Sequence, residues 1–302
     1  MADAEGAFRR AAALVAGGSR LRTLAGLLTL DVVVTAILNL DTAAAFLTPL
    51  MLYVGGVESG PFLYGSVLMA NAASLFLPGS NLTNLLVLGD SVSGATFLGH
   101  MLPEALVAVA VTGAGLLWWG RRGAALQPVH PGEFSPGVGV AAVVLAAVLV
   151  LVLGDPALPV LGVGLVAAAL SNVDPATLRR AVGPLSLLGL LILATALGYV
   201  ARQFDAPSLS TLETTGVAAG AAVLVNNLPA AALLSAHTPD HPTALLIGLN
   251  LGPNLAVTGS LSALIWWRSA RALGAHPSLI TYSRVGVPLA LSAMALSLIV
   301  SG

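Results

Sequence analysis

Residues 103–119, 137–154, 158–172, 182–200 and 285–300 form apolar runs with few or no charges, and each reads as a helix that crosses hydrocarbon. Such runs cannot lie on a water-facing surface, and several are near the short limit of the roughly 20 residues a spanning helix needs. Only 8% of the chain is charged, against roughly 25% in a soluble domain, so the runs are no local accident. The sequence predicts an all-α, polytopic membrane protein. Its 302 residues leave room for about ten passes joined by short loops, read as one membrane transport domain over residues 1–302.

The remaining composition narrows the function. A net charge of -1 without a basic run argues against nucleic acid, leaving membrane lipid and a small solute as expected partners. All 12 basic residues are Arg, so neither a Walker A lysine nor a Schiff-base lysine exists in the chain. Cys is absent, which removes disulfides, thiolate metal sites and Cys nucleophiles. No cofactor is called for, and the expectation is a transporter and not an enzyme. The N-terminal stretch MADAEGAFRRAAALVAGGSRLR lacks the unbroken apolar core of a signal peptide.

Two apolar regions are cut in the middle by polar residues. Residues 24–54 are interrupted at Asn39, Asp41 and Thr42, and residues 210–238 at Asn226 and Asn227. Arms of about 15 residues are too short to cross comfortably, so both regions read as re-entrant hairpins with tips near the midplane. Residues 61–99 and 243–267 read instead as spanning helices broken at Pro78–Asn84 and Asn250–Asn254, where Gly, Pro and Asn favour leaving the helical ladder.

With a cytoplasmic N-terminus, Arg9, Arg10, Arg20, Arg22, Arg121, Arg122, Arg179, Arg180, Arg268, Arg271 and Arg284 all fall inside, and only Arg202 outside. This trace leaves the C-terminus outside. Trp118, Trp119, Trp266 and Trp267 are expected as aromatic anchors at the cytoplasmic interface. Hairpin followed by broken helix occurs twice, in a first repeat over 1–120 and a second over 136–302. Four spans lie between the units, which makes the repeat an inverted one with its solute site where the broken elements meet. Three spans precede the second hairpin and none the first, so the first repeat reads as lacking N-terminal scaffold helices, through a shortened start or through supply by a partner chain.

Four strings carry a more specific likeness: LNLDTAAAFLTPL (38–50), GSNLTNLLVL (79–88), NNLPAAALLSA (226–236) and LGPNLAVTGSLSALIWW (251–267). Together they resemble signature segments of the arsenite efflux pump membrane subunits. That family belongs to the ion transporter superfamily, with the NhaD-type antiporters and the dicarboxylate and citrate carriers. The resemblance implies two hairpins and two discontinuous helices around a central site. It further implies proton-coupled efflux of arsenite or antimonite across the cytoplasmic membrane, with an ATPase subunit or a second copy as partners. Other readings are sodium/proton antiport, di- or tricarboxylate transport, or an inactive shortened remnant.

An Asn amide offers an acceptor for a cation and a donor for a hydroxyl or oxyanion, and interrupted helices add unpaired backbone groups beside it. Resemblance and geometry nominate Asn39, Asp41, Thr42, Asn81, Thr83, Asn84, Asn226, Asn227, Asn250, Asn254 and Thr258 for the solute and coupling ion. Thr42, Asn227 and Thr258 serve equally well as helix caps. Asp41 and Asp31 are the proton-coupling candidates, because an ionisable group deep in a bilayer is costly and is retained for function. Glu104 and Glu213 are expected at the outer ends of their segments. His100, His130, His237, His241 and His276 lack the HExxH spacing, and no metal site is expected.

Overall fold

A computed structural model describes residues 18–88, 93–122, 126, 137–153, 157–176, 179, 183–205 and 207–301. Among these residues the ordered elements are helices, with no strand. In a bilayer this is the expected outcome, because a helix satisfies its own backbone groups where no water can. Arg9, Arg10, Asp90, His130 and Arg180 lie outside the described residues.

The first interrupted region forms α1 (Arg20–Ile37) and α2 (Leu40–Gly55), parted at Leu38 and Asn39. Arg20, at the start of α1, donates from Nη2 to Ser59 Oγ at 2.6 Å and from Nε to Gly120 O at 3.1 Å. Ser59 follows the end of α2, so both arms return to one face and the pair is a hairpin. The first broken helix follows as α3 (Gly60–Ala73), a 3-10 turn (Pro78–Ser80) and α4 (Leu82–Leu88). A long helix, α5 (Gly94–Gly120), runs back to the Arg20 face.

In the second half, α6 (Val138–Val152) and α7 (Ala157–Leu170) pack against each other, and α8 (Pro184–Ala201) precedes the second hairpin. That hairpin is α9 (Thr211–Val225) and α10 (Asn227–Leu234), parted at Asn226. Its open end is closed by His241 Nδ1, 3.5 Å from Thr211 Oγ1. The second broken helix comprises α11 (Pro242–Leu251), 3-10 turns at Gly252–Leu255 and Val257–Gly259, and α12 (Leu261–Ala272). The last helix is α13 (Leu279–Ser301).

The two hairpins open on opposite faces. Helix α13 starts beside α3, where Tyr64 Oη accepts from Ser278 N at 2.7 Å, on the Arg20 side. It ends at Ser301, which lines a surface cleft with Thr211 and His241. Packing also repeats with a two-fold pattern. Helix α1 packs on α3 as α9 packs on α11, α2 meets α12 as α10 meets α4, and α5 lies along α13. Small residues make these approaches possible: a Cβ at Gly248 would lie 2.5 Å from Thr215 O, and one at Gly252 2.6 Å from Ala219 Cα.

Helices α5, α8 and α13 are long and apolar enough to cross a membrane. Helices α6 and α7, with 15 and 14 residues, reach only about 22 Å at 1.5 Å per residue. Their sides, and those of α8, present Val144, Leu158, Leu185 and Ile192 to the surroundings, as lipid-facing helices do.

Three expectations need correcting. The first broken helix does not extend to residue 99: its second arm ends at Leu88, and Gly94 onward belongs to α5. Helix α5 therefore begins nine residues before Pro103 instead of at it, which carries Glu104 into the packed interior at 3% exposure. Trp266 is no interface anchor. It is fully buried, donates from Nε1 to Leu63 O at 2.6 Å, and packs against Tyr64 and Tyr282. Trp118 stays exposed, with the Arg122 guanidinium over its ring.

Candidate functional site

The two helix breaks meet at Asn250. Its Oδ1 accepts from Asn81 Nδ2 at 2.7 Å and from Ser74 Oγ at 2.6 Å. Its Nδ2 donates to Asn84 Oδ1 at 2.8 Å and to Leu246 O at 2.8 Å. One fully buried amide thus ties both strands of the first break to the second, with both of its hydrogens and its oxygen in use. Asn84 Nδ2 turns back to Ser74 O at 2.8 Å, filling a carbonyl that the end of α3 leaves without a helical partner.

A second amide pair lies one turn along. Asn71 Nδ2 donates to Asn254 Oδ1 at 2.8 Å, and Asn254 Nδ2 to Leu68 O at 3.0 Å. Ser262 Oγ donates to Asn71 Oδ1 at 3.4 Å and shares a 2.7 Å bond with Ser260. The break is held from behind by Tyr282, whose hydroxyl donates to Pro253 O at 2.9 Å. Asn71 and Ser74 were not among the residues nominated from sequence. They stand three apart in VLMANAASLFL, one polar stripe on an otherwise apolar helix, and that spacing is the signal that could have found them.

At the tip of the second hairpin Asn226 has φ 76 and ψ 149, a conformation that suits glycine and costs an Asn roughly 1–3 kcal/mol. Its side chain holds the bend: Oδ1 accepts from Leu228 N at 3.4 Å, and Nδ2 donates to Thr258 O at 3.3 Å. Thr258 Oγ1 donates to Val223 O at 2.8 Å, so this tip is stitched to the second break. Asn227 is buried at the start of α10.

The first hairpin tip stands apart. Asn39 caps α2, its Oδ1 accepting from Thr42 N at 2.7 Å. Asp41 sits in the first turn of that helix, where the exposed amides favour a negative charge. Asn39 and Thr42 line a cleft of about 300 Å³ with Phe46 and the facing sides of α6 and α7. Among the described residues no hydrogen bond links Asn39, Asp41 or Thr42 to the amide cluster. Asp31 is fully buried on α1, accepting on Oδ1 from Thr35 Oγ1 at 3.2 Å while its Oδ2 has no partner. Thr83, at the first break, is likewise buried with an unpartnered hydroxyl.

The electrostatics of the cluster come from dipoles. Among the described residues each Arg is exposed except Arg20, which is half-buried and held at its face. Helices α4, α10 and α12 start at the second tip or at a break, and a helix start carries about half a positive charge. Such a site favours oxygen-rich solutes, which amide and backbone N–H groups can grip through hydroxyls or oxyanions. No group of three or more His, Asp or Glu side chains is placed to hold a metal among the described residues. Glu213 belongs to a capping box with Ser210 at the start of α9, an exposed structural role.

A family profile described as a citrate transporter (CitMHS) matches residues 1–300. No curated protein matches the chain.

Proposed function

The chain belongs to the citrate transporter family, and on that premise we propose that it is a proton-coupled carrier exporting a small hydroxylated solute of the trivalent arsenic or antimony class. The family, part of the ion transporter superfamily, makes it a multi-pass secondary transporter. The finer reading rests on the amide cluster of Asn81, Asn84 and Asn250, which joins the two breaks without an Arg or His beside it. A neutral arsenic hydroxide presents three hydroxyls, each able to donate and accept. Such a ligand would take over bonds that the amides now make with one another, and the bare Thr83 hydroxyl and the helix starts meet it without a counter-charge. The opposed hairpins fit alternating access, with each repeat closing one side of the same solute site. In this reading Asn39, Asp41, Thr42, Asn226, Asn227, Asn254 and Thr258 complete the path, and Asp41 or Asp31 carries the coupling proton.

A second reading is transport of a citrate-like carboxylate. The family's description favours it, and the helix starts at the second tip and at the two breaks supply the positive potential that an anion needs. Gradient-driven uptake into everted vesicles separates the two, with labelled arsenite in one arm and labelled citrate in the other. Arsenite uptake that collapses with the proton gradient supports the first reading. Citrate uptake alone replaces it with the second, and uptake of neither by correctly inserted protein overturns both.

A further inference from the structure

Asp31 is an unusual residue to find in the arm of a hairpin. It lies eleven positions beyond Arg20, which marks the face, and so about 16 Å deep at 1.5 Å per residue. It is fully buried, its Oδ1 has a single hydrogen bond, from Thr35, and its Oδ2 has none. Thr112, on α5, is also fully buried with an unpartnered hydroxyl.

Two contacts put these orphaned oxygens at one depth. Helices α1 and α5 run antiparallel, with Leu24 against Gly120 at the Arg20 face. One turn deeper, methyls of Leu28 and Leu116 lie 3.3 and 3.8 Å from the place a Cβ would take on Gly65 of α3. One further turn on each helix brings Asp31 and Thr112 to about the same depth, and next to Thr112 the Met69 methyl of α3 packs on Gly113.

The elements packed on α1 are α2, α3, α5 and the turn at Pro78–Ser80. Their titratable groups are Asp41 and Tyr53 on α2, Tyr64 on α3, and His100 and Glu104 on α5; Arg20 and Arg22 stand at the start of α1 itself. None of them fills Oδ2. An ionised carboxylate with an unmatched oxygen is costly inside a bilayer, and adding a proton removes the charge and turns the oxygen into a donor. Asp41 differs in place, since it lies in the first turn of α2 at the hairpin tip and not within an arm. Glu104 also has an orphaned oxygen, but it stands on α5 where that helix is bonded to α13 through Ser297 Oγ, outside both hairpins.

We propose that Asp31, with the hydroxyls of Thr35 and Thr112, is the coupling site of the carrier: Oδ2 binds one proton from one side of the membrane and releases it to the other. This rests on the secondary-carrier reading and assigns its driving proton to the first hairpin arm, apart from the amide cluster that takes the solute.

The test uses full-length protein in liposomes and two independent readouts. Dicyclohexylcarbodiimide, a lipid-soluble reagent that captures protonated carboxyls, is applied across a pH series with and without sodium, and adducts are assigned by peptide mass spectrometry. We expect Asp31 to be labelled, with labelling falling as pH rises and indifferent to sodium. Thr35→Val should move the half-point to higher pH by removing the donor to Oδ1 of the ionised form, and Thr35→Ser should leave it in place. In transport, Asp31→Asn should lose gradient-driven uptake while keeping solute counterflow. Asp31 left unlabelled while Asp41 or Glu104 reacts, protection by sodium, or an unchanged half-point in Thr35→Val each overturns the proposal. Should Asp31→Asn not fold, the Thr35 pair still decides. A wild-type chain that moves no solute would sink the carrier reading alone, because the labelling does not depend on transport.

Discussion

Replacing Asn250 by Ala should cost more than any other single side-chain deletion at the breaks. The substitution removes three bonds between elements, from Asn81 and Ser74 and to Asn84, and one within α11 to Leu246 O. Interhelical hydrogen bonds in membrane proteins contribute about 0.6 kcal/mol on average and at most about 1.7, so the three give roughly 2–5 kcal/mol. The carbonyl of Leu246 retains its helical environment and adds little. Asn250→Asp is the sharper variant, because it keeps both accepted bonds and places an oxygen where the donor faced Asn84 Oδ1 and Leu246 O. It should destabilise at least as much as Ala despite its matching size. The assay is thermal or denaturant unfolding of purified protein in detergent, followed by Trp fluorescence, with Asn71→Ala as a comparison for the second amide pair. An Asn250→Ala protein that unfolds within about 0.5 kcal/mol of wild type, the range of an ordinary surface change, would refute the claim that this amide joins the breaks.

Other perturbations follow from the same geometry. Gly286→Ala would drive a Cβ into Asn254 O, a backbone atom with no room to retreat, and should cost about 1–3 kcal/mol in unfolding experiments, whereas Gly216→Ala meets nothing within 4 Å and should gain up to about 1 kcal/mol of helix propensity. Trp266→Leu loses the bond to Leu63 O and the packing on Tyr64 and Tyr282, an expected loss of about 3 kcal/mol; a melting curve that superimposes on wild type would contradict its place in the core. Asn226→Gly relieves the strained tip but removes the amide that holds Thr258, so unfolding should be unchanged or later while uptake is lost; earlier melting with uptake intact would reverse that assignment.

Much of this arrangement is legible in the sequence because a bilayer punishes any break in an apolar helix. Asn39, Asn81, Asn226 and Asn250 mark interruptions for that reason, and each lies within a residue of a helix end or break in the structure. Pairing is less legible: that Asn250 meets both Asn81 and Asn84, some 166 to 169 positions away, is a tertiary fact with no local trace. Asn71 and Ser74 were missed because they stand upstream of the Pro and Gly that mark the break in the sequence, although α3 already ends at Ser74. Glu104 was misplaced because Pro103 looked like a helix start. Within a membrane, neighbouring helices accommodate an internal proline, and α5 runs through it. Trp266 was misread because a Trp pair just before Arg268 matches the pattern of an interfacial belt. The nearby Ala263 and Ala270, both fully buried, are the sign that this face is packed.

In the proposed carrier one solute site lies between the two breaks and is reached from either side in turn. Thr258 tests it most directly, being exposed at the second break and bonded to the second hairpin, in a chain that contains no Cys to interfere. A Thr258→Cys protein in sealed, oriented vesicles would be treated with a membrane-impermeant thiol reagent from each side separately, with and without solute. Labelling is expected from both sides, slowed from both by the transported solute. Labelling from one side only, or at a rate indifferent to solute, would contradict it.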